Sequence, residues 1–118
     1  MKKIILSGFL FLGVAIFSGC GNQATDDSAI ILFSSNECPH CKIVEKYIAD
    51  NNIKDKISFS EKEVGSNRAN ANLMMDKQKS CNWGVENNGK VPFLWTAEKC
   101  YLGQDEISQF FKDKINVQ

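Results

Sequence analysis

The sequence predicts an α/β domain: a four-stranded mixed sheet with helices on both faces, in the order β-α-β-α-β-β-α. Three observations carry that expectation. Apolar runs of strand length alternate with segments whose apolar residues recur at helical spacing. A Gly- and Asn-rich stretch is followed by two short strand-like runs joined by a turn. Finally, Cys38-Pro39-His40-Cys41 stands where the first strand gives way to the first helix. A strand, a helix and a second strand form a right-handed crossover with parallel strands, and a hairpin extends the same sheet antiparallel.

The first 19 of the 118 residues read as a secretory signal and not as part of the fold. Lys2 and Lys3 supply positive charge, residues 4–17 are nearly all apolar, and Phe17-Ser18-Gly19-Cys20 closes the segment with small residues. The apolar run falls short of the ~20 residues that span a bilayer. Cys20 resembles the acylated cysteine of bacterial lipoproteins, with Phe17 where leucine is usual. That resemblance implies a lipid anchor facing the periplasm or cell exterior; the alternative is an ordinary cleaved signal with an incidental Cys20. Residues 20–28 are small, polar and acidic, which suits a flexible tether, and 29–118 form one small domain. The chain carries 14 basic and 14 acidic side chains; without Lys2 and Lys3 the basic count falls to 12, and no basic patch for nucleic acid is visible. Export to an oxidising compartment allows disulfides to persist.

Within the domain, residues 29–33 are an unbroken apolar strand. Pro39 suits the first residue of a helix, and Ile43, Val44, Tyr47 and Ile48 recur at helical spacing to 50, with Asn51-Asn52 as the stop. Ile57 and Phe59 alternate with polar residues, predicting a second strand over 56–64. A second helix is expected from Gly65-Ser66 through Ala71, Leu73, Met74 and Met75 to about Cys81. Residues 83–90 are a loop by composition, 91–95 a strand, 96–98 a turn and 99–102 the hairpin's other strand. Pro92 would ordinarily demote its strand to an edge. Asp105 is expected to cap a last helix with Ile107, Phe110, Phe111 and Ile115 on one face.

Two cysteines two residues apart at a helix start make a dithiol that can close to a disulfide and reopen. Exchange requires a thiolate. The helix N-terminus favours one on Cys38 by about 0.3–1 kcal/mol, and His40, the only histidine, adds attraction when protonated. Cys38, on the exposed side of the turn, is then the nucleophile. Cys41, one turn deeper, resolves the mixed disulfide. Stabilising the thiolate stabilises the reduced form and makes the disulfide a stronger oxidant. A zinc knuckle also uses Cys-Pro-x-Cys but needs a second pair, and Cys81 and Cys100 are single and far apart. A purely structural 38–41 disulfide would restrain little of the unfolded chain.

The element order, Phe33 followed by Cys38-Pro39-His40-Cys41, Val91-Pro92 opening a strand, and Gly103 with Asp105 before the last helix together resemble the thioredoxin fold in its short, glutaredoxin-sized form. That resemblance covers nearly all of 29–116. It implies a cis Pro92 facing the dithiol, with Val91 and Pro92 holding a substrate strand. The motif itself is similar to that of periplasmic disulfide-forming oxidants, which implies a lean toward oxidation. Glutaredoxins usually carry a lysine three residues before the first cysteine and Gly-Gly before the last helix. Ser35 and Gly103-Gln104 stand there, so glutathione use is not carried over.

Cys81 and Cys100 remain, either as a structural disulfide, as two packed thiols or as a second redox pair. Lys90 and Asp105 read as surface charge and helix cap, and Phe93, Trp83 and Trp95 as core or groove wall. No cofactor motif and no metal site are read from the sequence. The expected partners are cysteine-containing proteins and a membrane protein that recycles the dithiol, with the domain itself a monomer. A rival reading has Cys38, His40 and Cys41 carry Cu(I), which soft thiolates suit.

Overall fold

The structure is a computed structural model that describes residues 28–117. The signal segment, Cys20 and all of the tether but Ser28 lie outside the described residues. Strand β1 (Ile30–Ser34) runs into α1 (Pro39–Asp50), a short α2 (Ile53–Lys56) and β2 (Ser60–Glu63). Then come α3 (Arg68–Lys79), a single 3₁₀ turn (Val85–Asn87), the hairpin β3 (Phe93–Thr96) and β4 (Cys100–Leu102), and α4 (Gln104–Asn116).

The sheet order is β2-β1-β3-β4, with β1 parallel to β2 and antiparallel to β3, and β3 antiparallel to β4. Every residue of β1 is buried, as befits a strand covered on both faces. Its alternate side chains divide between two cores. Ile30 and Leu32 join Leu94 under α1 and α4, packed by Val44, Ile48, Ile107 and Phe111. Ile31 and Phe33 join Phe93 under α3, packed by Met74. The Phe33 and Phe93 rings stack with centroids 5.6 Å apart. The outer strand β2 is Ser-Glu-Lys-Glu, a charged edge that discourages pairing with another chain.

Several sequence expectations require correction. The second strand covers only Ser60–Glu63, because Ile53 opens α2 and Ile57 caps its end, its amide bonded to the Ile53 carbonyl at 2.8 Å, with both side chains in the first core. Asn52 reaches that helix through a left-handed conformation (φ 50°), which asparagine tolerates better than most residues. Gly65 and Ser66 lie in a turn ahead of α3, their amides bonded to the Glu63 carboxylate at 2.7 and 2.9 Å, and Asn67 is the cap, accepting from the Asn70 amide at 3.0 Å. Gly103 (φ 90°) takes the N-cap place of α4, so Asp105 stands inside the first turn, where a carboxylate favours the helix dipole. Ile43 and Met75 face outward, 49% and 37% exposed, and leave their helices' core stripes to Val44, Ile48 and Met74. Pro92 precedes β3, so an interior strand carries it without losing a ladder hydrogen bond.

Candidate active site

The buried β1 ends at the loop that presents the motif. The Cys38 amide bonds to the Ser35 carbonyl at 3.1 Å, turning the chain so that Cys38 becomes the N-cap of α1 in an extended conformation (φ −95°, ψ 113°). Pro39 follows as the first helical residue, where its missing N–H is no loss. The Cys38 sulfur occupies the place that a serine or aspartate oxygen usually takes and accepts the Cys41 N–H at 3.1 Å. A backbone donor aimed at a sulfur at the positive end of a helix favours negative charge there.

The two sulfurs are unbonded and unequal. Cys38 is half-buried, whereas Cys41 is fully buried. Burial pushes the Cys41 thiol up to about 12, helped by its hydrogen bond to Cys38 and by the charges of Cys38 and Glu45. One sulfur is thus reachable and the other is stored as a neutral thiol a helical turn behind it.

Facing them is the segment before β3. The Val91–Pro92 bond is cis, Pro92 is fully buried, and the Val91 carbonyl lies 3.7 Å from the Cys38 sulfur, which donates to it as a thiol. The Pro92 carbonyl accepts the Gly103 amide at 3.0 Å, which ties this segment to the start of α4.

His40 is exposed and also reaches α4: its Nδ1 lies 2.7 Å from Gln104 Oε1. The Gln104 amide nitrogen lies 3.5 Å from an Asp105 carboxylate oxygen, an orientation that leaves the amide oxygen for the ring and makes His40 Nδ1 the donor. In the sequence Gln104 stands out only as a departure from Gly-Gly. Its partner is 64 residues away, and no local signal announces the pair.

Cys81 and Cys100 form a disulfide, with Cα atoms 5.8 Å apart, joining the residue after the C-cap of α3 to β4. Beside it Trp95 donates to the Ser80 hydroxyl at 3.1 Å and lies under Lys77, whose Nζ is 3.8 Å from the ring centroid. Trp83 packs edge-on against Phe93 at 5.3 Å, as core wall. Lys90 lies 3.4 Å from the Asn87 side-chain oxygen. A residue not singled out from sequence is Gln78, 1% exposed, whose amide bonds to the backbone of Gly89 and Lys90. Its signal was a polar residue one turn after Met74 on the core stripe of α3. Among the described residues no group of three or more His, Cys, Asp or Glu side chains is arranged to hold a metal ion.

No protein-family model matches the chain, and no curated protein does. Among solved structures, the chain is similar to glutaredoxin 1 from Francisella tularensis in complex with cacodylate, at 20% identity and a TM-score of 0.50, over 75% of this chain and 96% of that one. It also matches the holo form of glutaredoxin C1 from Populus tremula x tremuloides, at 16% identity and a TM-score of 0.49, over 76% and 80% of the two chains. The fold is therefore the thioredoxin-like one, with glutaredoxins as structural neighbours.

Proposed function

We propose that this protein is an extracytoplasmic thiol-disulfide oxidoreductase that exchanges disulfides with protein cysteines, with Cys38 as nucleophile and Cys41 as the resolving thiol. The observation that carries this reading is the inequality of the two sulfurs: Cys38 caps α1 in partial contact with solvent, and Cys41 is buried and held neutral. In the reductive direction the Cys38 thiolate attacks one sulfur of a substrate disulfide, forming a mixed disulfide and releasing the other sulfur as a thiolate. Cys41 then gives its proton to the released substrate thiolate and attacks the Cys38 sulfur. The second substrate thiolate departs, Cys38 and Cys41 are bonded, and two electrons have passed to the substrate. Oxidation is the same path reversed.

Pro39 lets the helix begin directly behind Cys38. Val91 and Pro92 support an extended substrate segment, because the Val91 carbonyl stands beside the attacking sulfur. His40 tunes charge near the pair. Each ~1.4 kcal/mol by which the reduced form is stabilised raises the potential by ~30 mV, so the helix end and a protonated His40 both push toward oxidant. The Cu(I) reading gains no support, since among the described residues no group of three or more His, Cys, Asp or Glu side chains is arranged to hold a metal ion. The reaction needs no cofactor beyond the two sulfurs. A membrane redox protein recycles the dithiol, and a lipid on Cys20 keeps the monomer beside it; this part of the proposal rests on the sequence of residues 1–28.

Turnover of insulin disulfides, together with the Cys38–Cys41 potential measured against glutathione, tests the reading. Exchange with a potential well above thioredoxin's, about −270 mV, is expected. A value near −270 mV overturns the oxidising lean alone, and no exchange in either direction overturns the function.

A further inference from the structure

We infer that Gln78 is a positioning residue for the substrate-binding segment: from inside the protein it fixes the backbone that presents Val91 to the dithiol. The inference rests on the proposed function, since it supposes that a substrate strand lies along Val91.

Gln78 occupies a core position on α3 and is 1% exposed, as buried as the aliphatic side chains around it. A primary amide placed there costs free energy unless both its ends are satisfied. Both are, by the backbone of two consecutive residues. Gln78 Oε1 accepts the Gly89 N–H at 2.7 Å, and Gln78 Nε2 donates to the Lys90 carbonyl at 3.3 Å. Gly89 adopts φ 80°, a conformation that suits glycine and that turns its N–H toward α3. Val91 follows directly after Lys90, and its carbonyl is 3.7 Å from the Cys38 sulfur.

On its far side the same segment is held by the Pro92 carbonyl, which accepts the Gly103 amide at 3.0 Å. Val91 is therefore suspended between two fastenings, one on α4 and one on Gln78. The α3 end of the suspension is itself anchored. Trp95 bonds Ser80 and stacks under Lys77, and Cys81 is bonded to Cys100 on β4. A methionine at 78 would fill the same space, so the amide's distinctive contribution is its grip on residues 89 and 90.

The test uses the full chain and its Gln78→Met variant, with Gln78→Glu as the conservative change that keeps an acceptor for the Gly89 amide. Folding is checked by circular dichroism. Turnover is measured on an extended decapeptide disulfide with dithiothreitol as reductant. The reduced protein is also reacted with 5,5′-dithiobis(2-nitrobenzoate), a small disulfide that needs no strand pairing, and the equilibrium with dithiothreitol is determined. For Gln78→Met a KM at least fivefold higher for the peptide is expected, with kcat, the rate with the small disulfide and the equilibrium constant all within twofold of wild type. Gln78→Glu should recover part of the KM.

An unchanged KM in a folded Gln78→Met protein overturns the inference. So does a change in which the small-disulfide rate and the equilibrium constant move with KM, because the effect would then lie at the dithiol. If neither variant folds, Gln78 is simply a core residue and the inference is likewise overturned. Wild-type protein inactive on both disulfides would instead refute the proposed function, so the two failures are distinguishable.

Discussion

Cys38 and Cys41 share the first turn of one helix, whereas Cys81 and Cys100 are 19 residues apart and lie beyond the end of one helix and on an edge strand. The same helical physics acts on both pairs from opposite ends. At the N-terminus of α1 the Cys41 N–H, which has no acceptor within the helix, donates to the Cys38 sulfur, and the local charge is positive. At the C-terminus of α3 the Cys81 sulfur lies 3.6 Å from the Lys77 carbonyl, among groups that carry the negative end of the helix. A helix N-terminus stabilises a group that takes up negative charge, and a helix C-terminus does not. The teaching is that a cysteine pair takes its role from which end of a helix it meets and how much chain it closes.

Removing the proposed nucleophile separates the two pairs most strongly. Cys38→Ser should lower insulin turnover by three orders of magnitude or more, while the double change Cys81→Ser and Cys100→Ser should leave turnover within about fivefold, as attack by the thiolate requires. Comparable losses in both would mean that the second pair shares the chemistry.

Stability should respond in the opposite sense. Closing a loop of about 20 residues is worth about 3 kcal/mol in the chain-entropy model, while closing four residues restrains little. Urea unfolding of the 81/100 double variant should show a loss of that order. Reduction of the 38–41 bond alone should change stability far less.

The buried thiol adds a pH dependence confined to the first pair. Cys41 sits near 9.0 when unperturbed and is pushed up to about 12 in the fold, so its neutral form favours the folded state fully below about pH 9. That contribution is lost as pH rises from about 9 through about 12, because the unfolded chain ionises first. Urea midpoints of the reduced protein at pH 8 and pH 10.5 should differ by more than those of the Cys41→Ala variant. Equal differences would remove the case for burial.

The smallest expected effect is one of order. Titration with dithiothreitol should open 38–41 before 81–100, with equilibrium constants at least tenfold apart, or about 30 mV. Mass spectrometry of alkylated samples would follow both pairs, and simultaneous opening would erase the contrast between the helix ends.

Much of the first pair was legible because its determinants are local: an apolar strand, a proline, a two-residue spacing and a helical stripe lie within residues 29–50. The mixed sheet followed from alternation and the hairpin. Elements failed where a pattern had two readings. Ile57 and Phe59 alternate like a strand, but Ile57 caps α2, packing in the same core as Ile53 four residues earlier. Long-range contacts left little trace in the sequence beyond the two remaining cysteines, 81 and 100, that could pair. His40 with Gln104, Gln78 with Gly89 and Lys90, and Cys81 with Cys100 become partners only once the sheet brings α3, α4 and the hairpin together.

The most direct test of the account is to trap its intermediate. Cys41→Ser protein incubated with a peptide disulfide should accumulate one mixed disulfide, and peptide mapping by mass spectrometry should place it on Cys38. An adduct on Cys81 or Cys100, or none with Cys38 free and reduced, would contradict the claim that Cys38 is the sulfur that exchanges.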